Sequence, residues 1–138
     1  CGLESREDYL YRTEPTYAAA DLANHLLPPE AHLLSQDYRT FYFKCRTTRE
    51  ITYRRRTGYD RWMNSADDLH RYLHRAGFTH LLLAENLAEE GIRFDETLKE
   101  LAGAADGSPD AKLFEELTSY RFRDADGAIR QYRLVALR

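Results

Sequence analysis

The sequence predicts an α/β domain: a central mixed, mainly parallel sheet of about five strands, helices on its faces and a C-terminal β-hairpin. Short apolar runs alternate with segments of helical periodicity, which is typical of layered α/β domains. Residues 78–84 are mostly apolar and directly follow a helix, as expected for a central strand covered on both faces. Near the end, Asp126-Gly127, a favoured hairpin dipeptide, separates two strand-like stretches.

Length and composition indicate one folded unit. The chain has 138 residues, of which 43% are hydrophobic and 31% charged, so we assign residues 1–15 to a lead-in arm and residues 16–138 to a single α/β domain. No purely apolar run is longer than that at residues 81–84, which is far shorter than the ~20 residues that span a bilayer. The formal net charge of −3 gives no general case for nucleic-acid binding, and we expect no nucleic-acid partner.

The first half of the chain predicts one helix and three extended segments. Thr16 is placed to cap a helix that starts at Tyr17. Pro28-Pro29 ends this helix, because proline lacks the amide hydrogen that a helix needs. The extended segments are predicted at residues 32–35, 41–43 and 51–54.

The second half predicts three more helices, a strand and the hairpin. Ser65, followed by Asp68 at the capping-box spacing, begins a helix that Gly77 ends. A third helix covers about residues 95–102, and Ser108 caps a fourth that starts at Pro109. The inward side chains of the fourth helix are Leu113, Phe114 and Leu117, and the hairpin strands are residues 120–124 and 129–137.

Candidate catalytic chemistry is sparse. His70 and His74 have the i, i+4 spacing of a metal pair, but both lie off the apolar stripe and Arg71 stands where a zinc protease has glutamate. We therefore interpret them as solvent-facing and expect no metal and no cofactor. No nucleophile elbow or glycine-rich phosphate loop is present, and no catalytic residue is assigned. Cys45 is predicted to be a buried small hydrophobe, and Cys1 suggests an excised fragment or a processed lipoprotein.

Charge is distributed unevenly along the chain. Residues 44–75 carry a net charge of +5, and residues 85–116 carry −7. Arg54, Arg55 and Arg56 are therefore candidate contacts for an anion or a lipid phosphate. The alternative is a solvated edge whose arginines pair with the acidic segment, and charge runs more often have this role.

Aromatic residues cluster in residues 38–43. Tyr38, Arg39 and Tyr42 are candidate contacts for a sugar or an acceptor, because aromatic faces pack on sugar rings and arginine reaches hydroxyl groups. The favoured alternative is a core segment in which Arg39 ties down a loop.

An ordered series of motifs extends over most of the chain. Its members are residues 7–10, Tyr17, residues 24–29 (NHLLPP), residues 32–35 (HLLS), Tyr38-Arg39, residues 41–43 (FYF), residues 59–62 (YDRW), residues 69–73 and residues 77–83 (GFTHLLL). In this series the chain resembles the soluble C-terminal domain of bacterial multi-pass membrane glycosyltransferases, similar to the dolichyl-phosphate-mannose protein mannosyltransferase type. The acidic segment at residues 84–111 departs from the pattern of that family.

The resemblance implies a domain at the extracytoplasmic (periplasmic) face of the bacterial inner membrane, tethered by an upstream segment missing from this chain. The parent would transfer sugar from a polyprenyl-phosphate donor, with its catalytic acids in the membrane portion. This domain would then be non-catalytic and would present the acceptor or shape the active-site entrance. Its partners would be the transmembrane portion of its own parent chain and either lipid headgroups or the acceptor substrate.

Two other interpretations stay open. One is a free-standing or lipid-anchored module that binds carbohydrate or protein, which predicts a signal peptide with a lipobox upstream of Cys1. The other is a small hydrolase or nuclease, which predicts a pocket with convergent acids and perturbed pKa values. The glycosyltransferase interpretation instead predicts a hydrophobic span upstream of Cys1.

Overall fold

The computed structural model describes residues 4–13, 15–37, 39–61, 63–85, 113–123 and 129–138. This part of the chain forms α-helices, a short 3-10 turn at Tyr59–Arg61, and a five-stranded sheet. The helices are α1 (Arg6–Thr13), α2 (Pro15–Leu26), α3 (Glu50–Thr57) and α4 (Ala66–Arg75). The strands are β1 (His32–Ser35), β2 (Arg46–Arg49), β3 (His80–Glu85), β4 (Phe114–Arg123) and β5 (Ile129–Leu137).

The strands lie in the order β2-β1-β3-β5-β4. Strand β1 pairs in parallel with both β2 and β3, whereas β5 runs antiparallel to β3 and to β4. The predicted α/β class, the mixed sheet of about five strands and the C-terminal pair of antiparallel strands are therefore confirmed.

The sheet has a hydrophobic core on each face. Side chains alternate along a strand, so β3 directs Leu82 to one face and Leu81 and Leu83 to the other. The first face packs against small residues of α2, namely Ala19, Ala20 and Ala23. The second packs against α4 through Leu69 and Leu73. All three β3 leucines are buried, as the sequence predicts.

Helix α4 follows its predicted local signals. The Ser65 hydroxyl accepts a hydrogen bond from the backbone N–H of Asp68 at 3.1 Å, so Ser65 is the N-cap. Gly77 follows the helix with φ of +90°, a conformation that side chains with a Cβ rarely adopt. Leu69 and Leu73 are buried and Tyr72 is half-buried, but Ala76, at the helix end, is exposed.

The N-terminal region is more helical than the sequence predicts. Residues assigned to the lead-in arm include α1, and in its first turn the Asp8 N–H donates a hydrogen bond to the Ser5 hydroxyl oxygen at 3.1 Å. Helix α2 begins at Pro15, not at Tyr17, because proline is favoured in the first helical turn. Thr16 therefore lies inside the helix, where it is fully buried, and the prediction that it caps the helix is wrong.

The predicted strand at residues 51–54 is also wrong, because these residues lie in α3. Gly58, with φ of 62°, caps α3 by donating its N–H to the Arg54 carbonyl oxygen at 2.7 Å. The fully buried Glu50 accepts a hydrogen bond from the Tyr59 hydroxyl at 2.9 Å, which fixes the first turn of the helix. The strand of this region is β2, immediately before it, and residues 41–43 form a turn and not an extended segment.

The predicted fourth helix is wrong where the structure describes it, because Leu113 lies in a turn and Phe114 and Leu117 lie in β4. Phe114 is buried, as predicted, and Leu113 is half-buried, but Leu117 is 38% exposed at an irregularity in the pairing with β5. The start of that helix at residues 108–112, the helix at residues 95–102, the Asp126-Gly127 turn and Tyr38 lie outside the described residues.

Across the described ranges, no helix combines the length and the hydropathy needed to cross a bilayer. Cys45 is buried, as predicted, and contacts the Thr47 hydroxyl through its sulfur at 3.8 Å.

Candidate binding groove on helix α2

The connection after β1, residues 36–45, crosses onto α2. Gln36 extends the pairing of β1 with β3: its N–H donates to the Leu82 carbonyl oxygen at 2.9 Å, and its side-chain oxygen accepts from Ala84 N–H at 3.1 Å. The connection therefore leaves the sheet at the carboxyl end of two parallel strands. Open α/β sheets commonly bind ligands just outside this edge.

A buried carboxylate holds the start of this connection. Asp37 is only 2% exposed, and its Oδ2 accepts hydrogen bonds from the Thr16 hydroxyl at 2.6 Å and the Tyr132 hydroxyl at 2.7 Å. Its Oδ1 accepts from the backbone N–H of Arg39 at 2.8 Å. These donors come from α2, β5 and the connection itself, so one side chain joins three parts of the fold.

Arg39 forms a second contact between this connection and α2. Its guanidinium Nη1 donates to the Thr16 hydroxyl oxygen at 3.2 Å, beside the Asp37 carboxylate. This contact agrees with the interpretation of Arg39 as a residue that ties down a loop.

Asn24 clamps the far end of the connection. Its side-chain nitrogen donates to the Tyr42 carbonyl oxygen at 3.0 Å, and its side-chain oxygen accepts from Lys44 N–H at 2.9 Å. One amide thus satisfies a backbone acceptor and a backbone donor of the turn. The turn is therefore fixed against the outer side of α2.

A groove of about 360 Å³ lies between this turn and α2. Tyr17 and Tyr42 form an aromatic corner, with ring centroids 5.3 Å apart and planes at 84°. The lining residues are Glu7, Tyr17, Ala20, Asp21, Asn24, His25, Tyr42 and Lys44. The groove therefore combines aromatic surface with side chains of both charges.

Burial and nearby acidic side chains act on the Tyr17 hydroxyl at the aromatic corner. Burial, with the nearby carboxylates of Glu7 and Asp21, raises the pKa of the Tyr17 hydroxyl above its usual value. A tyrosine hydroxyl is in any case protonated at neutral pH, so Tyr17 carries a hydrogen that it can donate. His25 Nδ1 lies 2.6 Å from the Asp21 backbone oxygen, which holds its ring at the end of the groove.

The structure separates the two predicted groups of site residues. Tyr42 lines the groove on α2, and Arg39 lies in the same connection. Arg54, Arg55 and Arg56 occupy the last turn of α3, whose Tyr53 belongs to the core of the opposite face.

The arginines on α3 differ in their surroundings. Arg54 is half-buried, with Nε 3.7 Å from Glu50 Oε1. Arg55 and Arg56 are exposed, and the Arg56 guanidinium lies 5.9 Å from the centre of the Tyr53 ring. Of the acidic residues in the segment 85–116, Glu115 pairs with Arg138 and Glu116 pairs with Arg133, not with the arginines of α3.

The predicted site omits most of the groove. Tyr17, Asp21 and Asn24 recur at helical spacing along the side of α2 that lines the groove. That polar and aromatic stripe is a signal available in the sequence. Asp37 and Tyr132 are 95 positions apart, and no local pattern links them.

Comparison with protein-family models finds no matching family. No curated protein and no solved structure matches the chain either. Within the described ranges, no group of three or more His, Cys, Asp or Glu side chains is arranged to hold a metal ion.

Proposed function

We propose that this chain is a carbohydrate-binding domain of a membrane glycosyltransferase, and that it holds a sugar-bearing acceptor without supplying the catalytic residues. The observation that carries the proposal is the groove on α2, with its aromatic corner and its polar ends. The resemblance of the motifs to glycosyltransferase domains supports a position at the extracytoplasmic face of the bacterial inner membrane, beside the transmembrane portion of the parent chain.

The lining of the groove suits a sugar. A sugar ring has an apolar face that can pack on Tyr42, and hydroxyl groups that can bond to Asp21 and Asn24. The volume of 360 Å³ lies within the range of ~300–1,000 Å³ that is typical of small-molecule sites. Carboxylate, amide and amine groups around an aromatic surface favour a neutral polyhydroxylated ligand over an apolar one.

The groove is organised before any ligand binds. Asn24 fixes the backbone on both sides of Phe43, and Asp37 fixes the start of the same connection. Ordering a free side chain on binding costs ~0.5–1.5 kcal/mol, and this cost is reduced where the chain is already held. The contacts of Asn24 and Asp37 therefore lower the entropic cost of binding, which helps even a ligand that makes few contacts.

Amide-detected NMR titration with a panel of neutral monosaccharides and disaccharides tests the proposal. We expect shifts confined to α1, α2 and residues 39–45, and an affinity about tenfold weaker in Tyr42→Ala, which corresponds to ~1.4 kcal/mol. Tyr9→Ala is the matched control, because Tyr9 is an exposed tyrosine outside the lining of the groove. The proposal fails if no saccharide shifts these residues, or if both variants weaken binding equally.

The proposed parent enzyme has its own test. Translation of the gene upstream of Cys1 should show a hydrophobic span of about 20 residues close to this domain. A signal peptide with a lipobox at this position would favour a lipid-anchored binding module instead.

A further inference from the structure

A second groove, of about 320 Å³, lies between the outer side of α4 and the end of β5. Because β5 runs antiparallel to β3, with Ala136 opposite His80, this groove lies at the amino-terminal end of β3. Its lining residues are Asp67, His70, Arg71, His74, Arg75 and Arg138. None of them belongs to the groove on α2, and α4 covers the opposite face of the sheet.

The end of β5 is held firmly against α4. The His70 Nε2 atom lies 2.5 Å from the backbone oxygen of Arg138, and because that oxygen can only accept, Nε2 carries the hydrogen. Arg138 N–H in turn donates to the Leu113 carbonyl oxygen at 2.8 Å. The His70 ring also packs edge-to-face on Phe114, with centroids 5.6 Å apart. The position of Arg138 relative to α4 is therefore fixed.

Two arginines of this groove are available to a ligand. Arg71 and Arg75 are both exposed and lie four residues apart on α4, so their side chains are neighbours on the helix surface. Neither forms a side-chain hydrogen bond or ion pair with another residue in the described part of the chain. By contrast, the Arg138 guanidinium is paired with Glu115.

The chemistry of the groove favours an anion over a metal ion. His70 uses Nε2 as a donor, so this nitrogen is not free to coordinate a metal. Among the described lining residues, the guanidinium groups of Arg71 and Arg75 outnumber the carboxylate of Asp67, so the groove would also repel a cation. A planar guanidinium can donate two parallel hydrogen bonds to a phosphate, and a concave site concentrates its field.

We propose that this basic groove binds the phosphate group of a ligand, with Arg71 and Arg75 as the principal contacts. The same chemistry is offered by a phosphate compound in solution and by a phospholipid headgroup. The proposal is independent of saccharide binding on α2, because the described lining residues of the two grooves do not overlap.

Two probes distinguish these sources: inorganic diphosphate, followed by NMR titration, and phosphatidylcholine vesicles containing phosphatidic acid, followed by co-sedimentation. The test variant is Arg71→Gln/Arg75→Gln. Its matched control is Arg55→Gln/Arg56→Gln, which removes two exposed charges from α3. We expect the test variant to bind at least about tenfold more weakly, since a hydrogen bond to a charged group contributes about a factor of ten in affinity. The control should bind like the wild type.

Binding of either probe that is lost only in the α4 variant supports the proposal and identifies the source. Absence of binding to both probes at low ionic strength overturns it. An equal loss in both variants also overturns it, since this would show diffuse attraction and not a site. A loss confined to the α3 variant overturns it as well, because the anion would then bind at the arginines of α3.

Discussion

Replacing Asp37 with alanine should destabilise the protein more than any exposed acidic substitution. The carboxylate is almost completely buried and accepts hydrogen bonds from two buried hydroxyls, those of Thr16 and Tyr132. It also accepts from the backbone N–H of Arg39, a residue that is half-buried and whose amide can reach water more easily. The main cost of the substitution is therefore two hydroxyl donors without an acceptor.

Leaving a buried donor unsatisfied costs ~1–3 kcal/mol, so two give ~2–6 kcal/mol before any relaxation. We expect a loss of about 3 kcal/mol, since water can enter the space left by the side chain and satisfy part of the network. Against a typical total stability of ~5–15 kcal/mol, this is a large fraction. Asp37→Asn should cost about 1–2 kcal/mol, because it keeps one acceptor but places an N–H donor opposite another donor.

Urea denaturation followed by far-ultraviolet circular dichroism measures these changes. Asp67→Ala is the control: Asp67 is exposed in the first turn of α4, where the loss should stay below ~1 kcal/mol. A double-mutant cycle with Tyr132→Phe should show a coupling energy of ~0.5–3 kcal/mol. If Asp37→Ala costs no more than Asp67→Ala, the buried network does not hold the connection to α2, and the reasoning is refuted.

Two further changes test other parts of the fold. Leu82→Ala should cost ~2–5 kcal/mol in urea denaturation, because Leu82 is buried in the core under α2; a loss below ~1 kcal/mol would show a peripheral strand. Burial of the imidazole, helped by the Arg46 charge, lowers the pKa of His32 below its ordinary value of 6.5, so the unfolded chain binds more protons than the folded one. The stability that His32 contributes should therefore be complete above about pH 6.5 and be lost as the pH falls below it, and His32→Gln should flatten this dependence; an unchanged slope between about pH 5 and 7 would contradict it.

Local signals predict the region from Ser65 to β3 because they agree with the tertiary packing. The cap at Ser65, the glycine at position 77 and the apolar run of β3 each specify the same helix-to-strand unit. The alternation of β3 between two cores also follows from an apolar strand between two layers. In this region no long-range contact is needed to decide which segment is helix and which is strand.

Local signals do not predict the region from β2 to α3, because long-range contacts determine its secondary structure. Strand β2 carries no apolar residue, and it pairs with β1 at the edge of the sheet, where Thr48 shares a hydrogen bond with His32 at 2.8 Å. The β-branched pair Ile51-Thr52 favours a strand by propensity. These residues nevertheless lie in α3, which begins at Glu50 and is capped by Gly58. Strand propensity is therefore a weak guide here, because the buried Glu50 fixes the start of α3 and the left-handed Gly58 fixes its end.

The candidate groove could be predicted only in part for the same reason. Tyr42 is prominent in an aromatic segment, but its position depends on Asn24, which lies on another element. The connection that carries Tyr42 depends in turn on Tyr132 through Asp37. Residue type identifies Tyr42 as a candidate contact, whereas the supporting contacts come from the fold.

The placement of the two grooves constrains how they can work together. The groove on α2 and the basic groove lie on opposite faces of the sheet, so one small ligand cannot occupy both. The Asp37 network holds the connection beside the first groove and the His70 contact with Arg138 holds the second, and within the described ranges the two sets of contacts share no side chain. The two proposed sites differ in chemistry. They suit a domain that binds a neutral polar ligand on one face of the sheet and a phosphate group on the other. A domain that bound one sugar phosphate would instead need both kinds of side chain in a single groove.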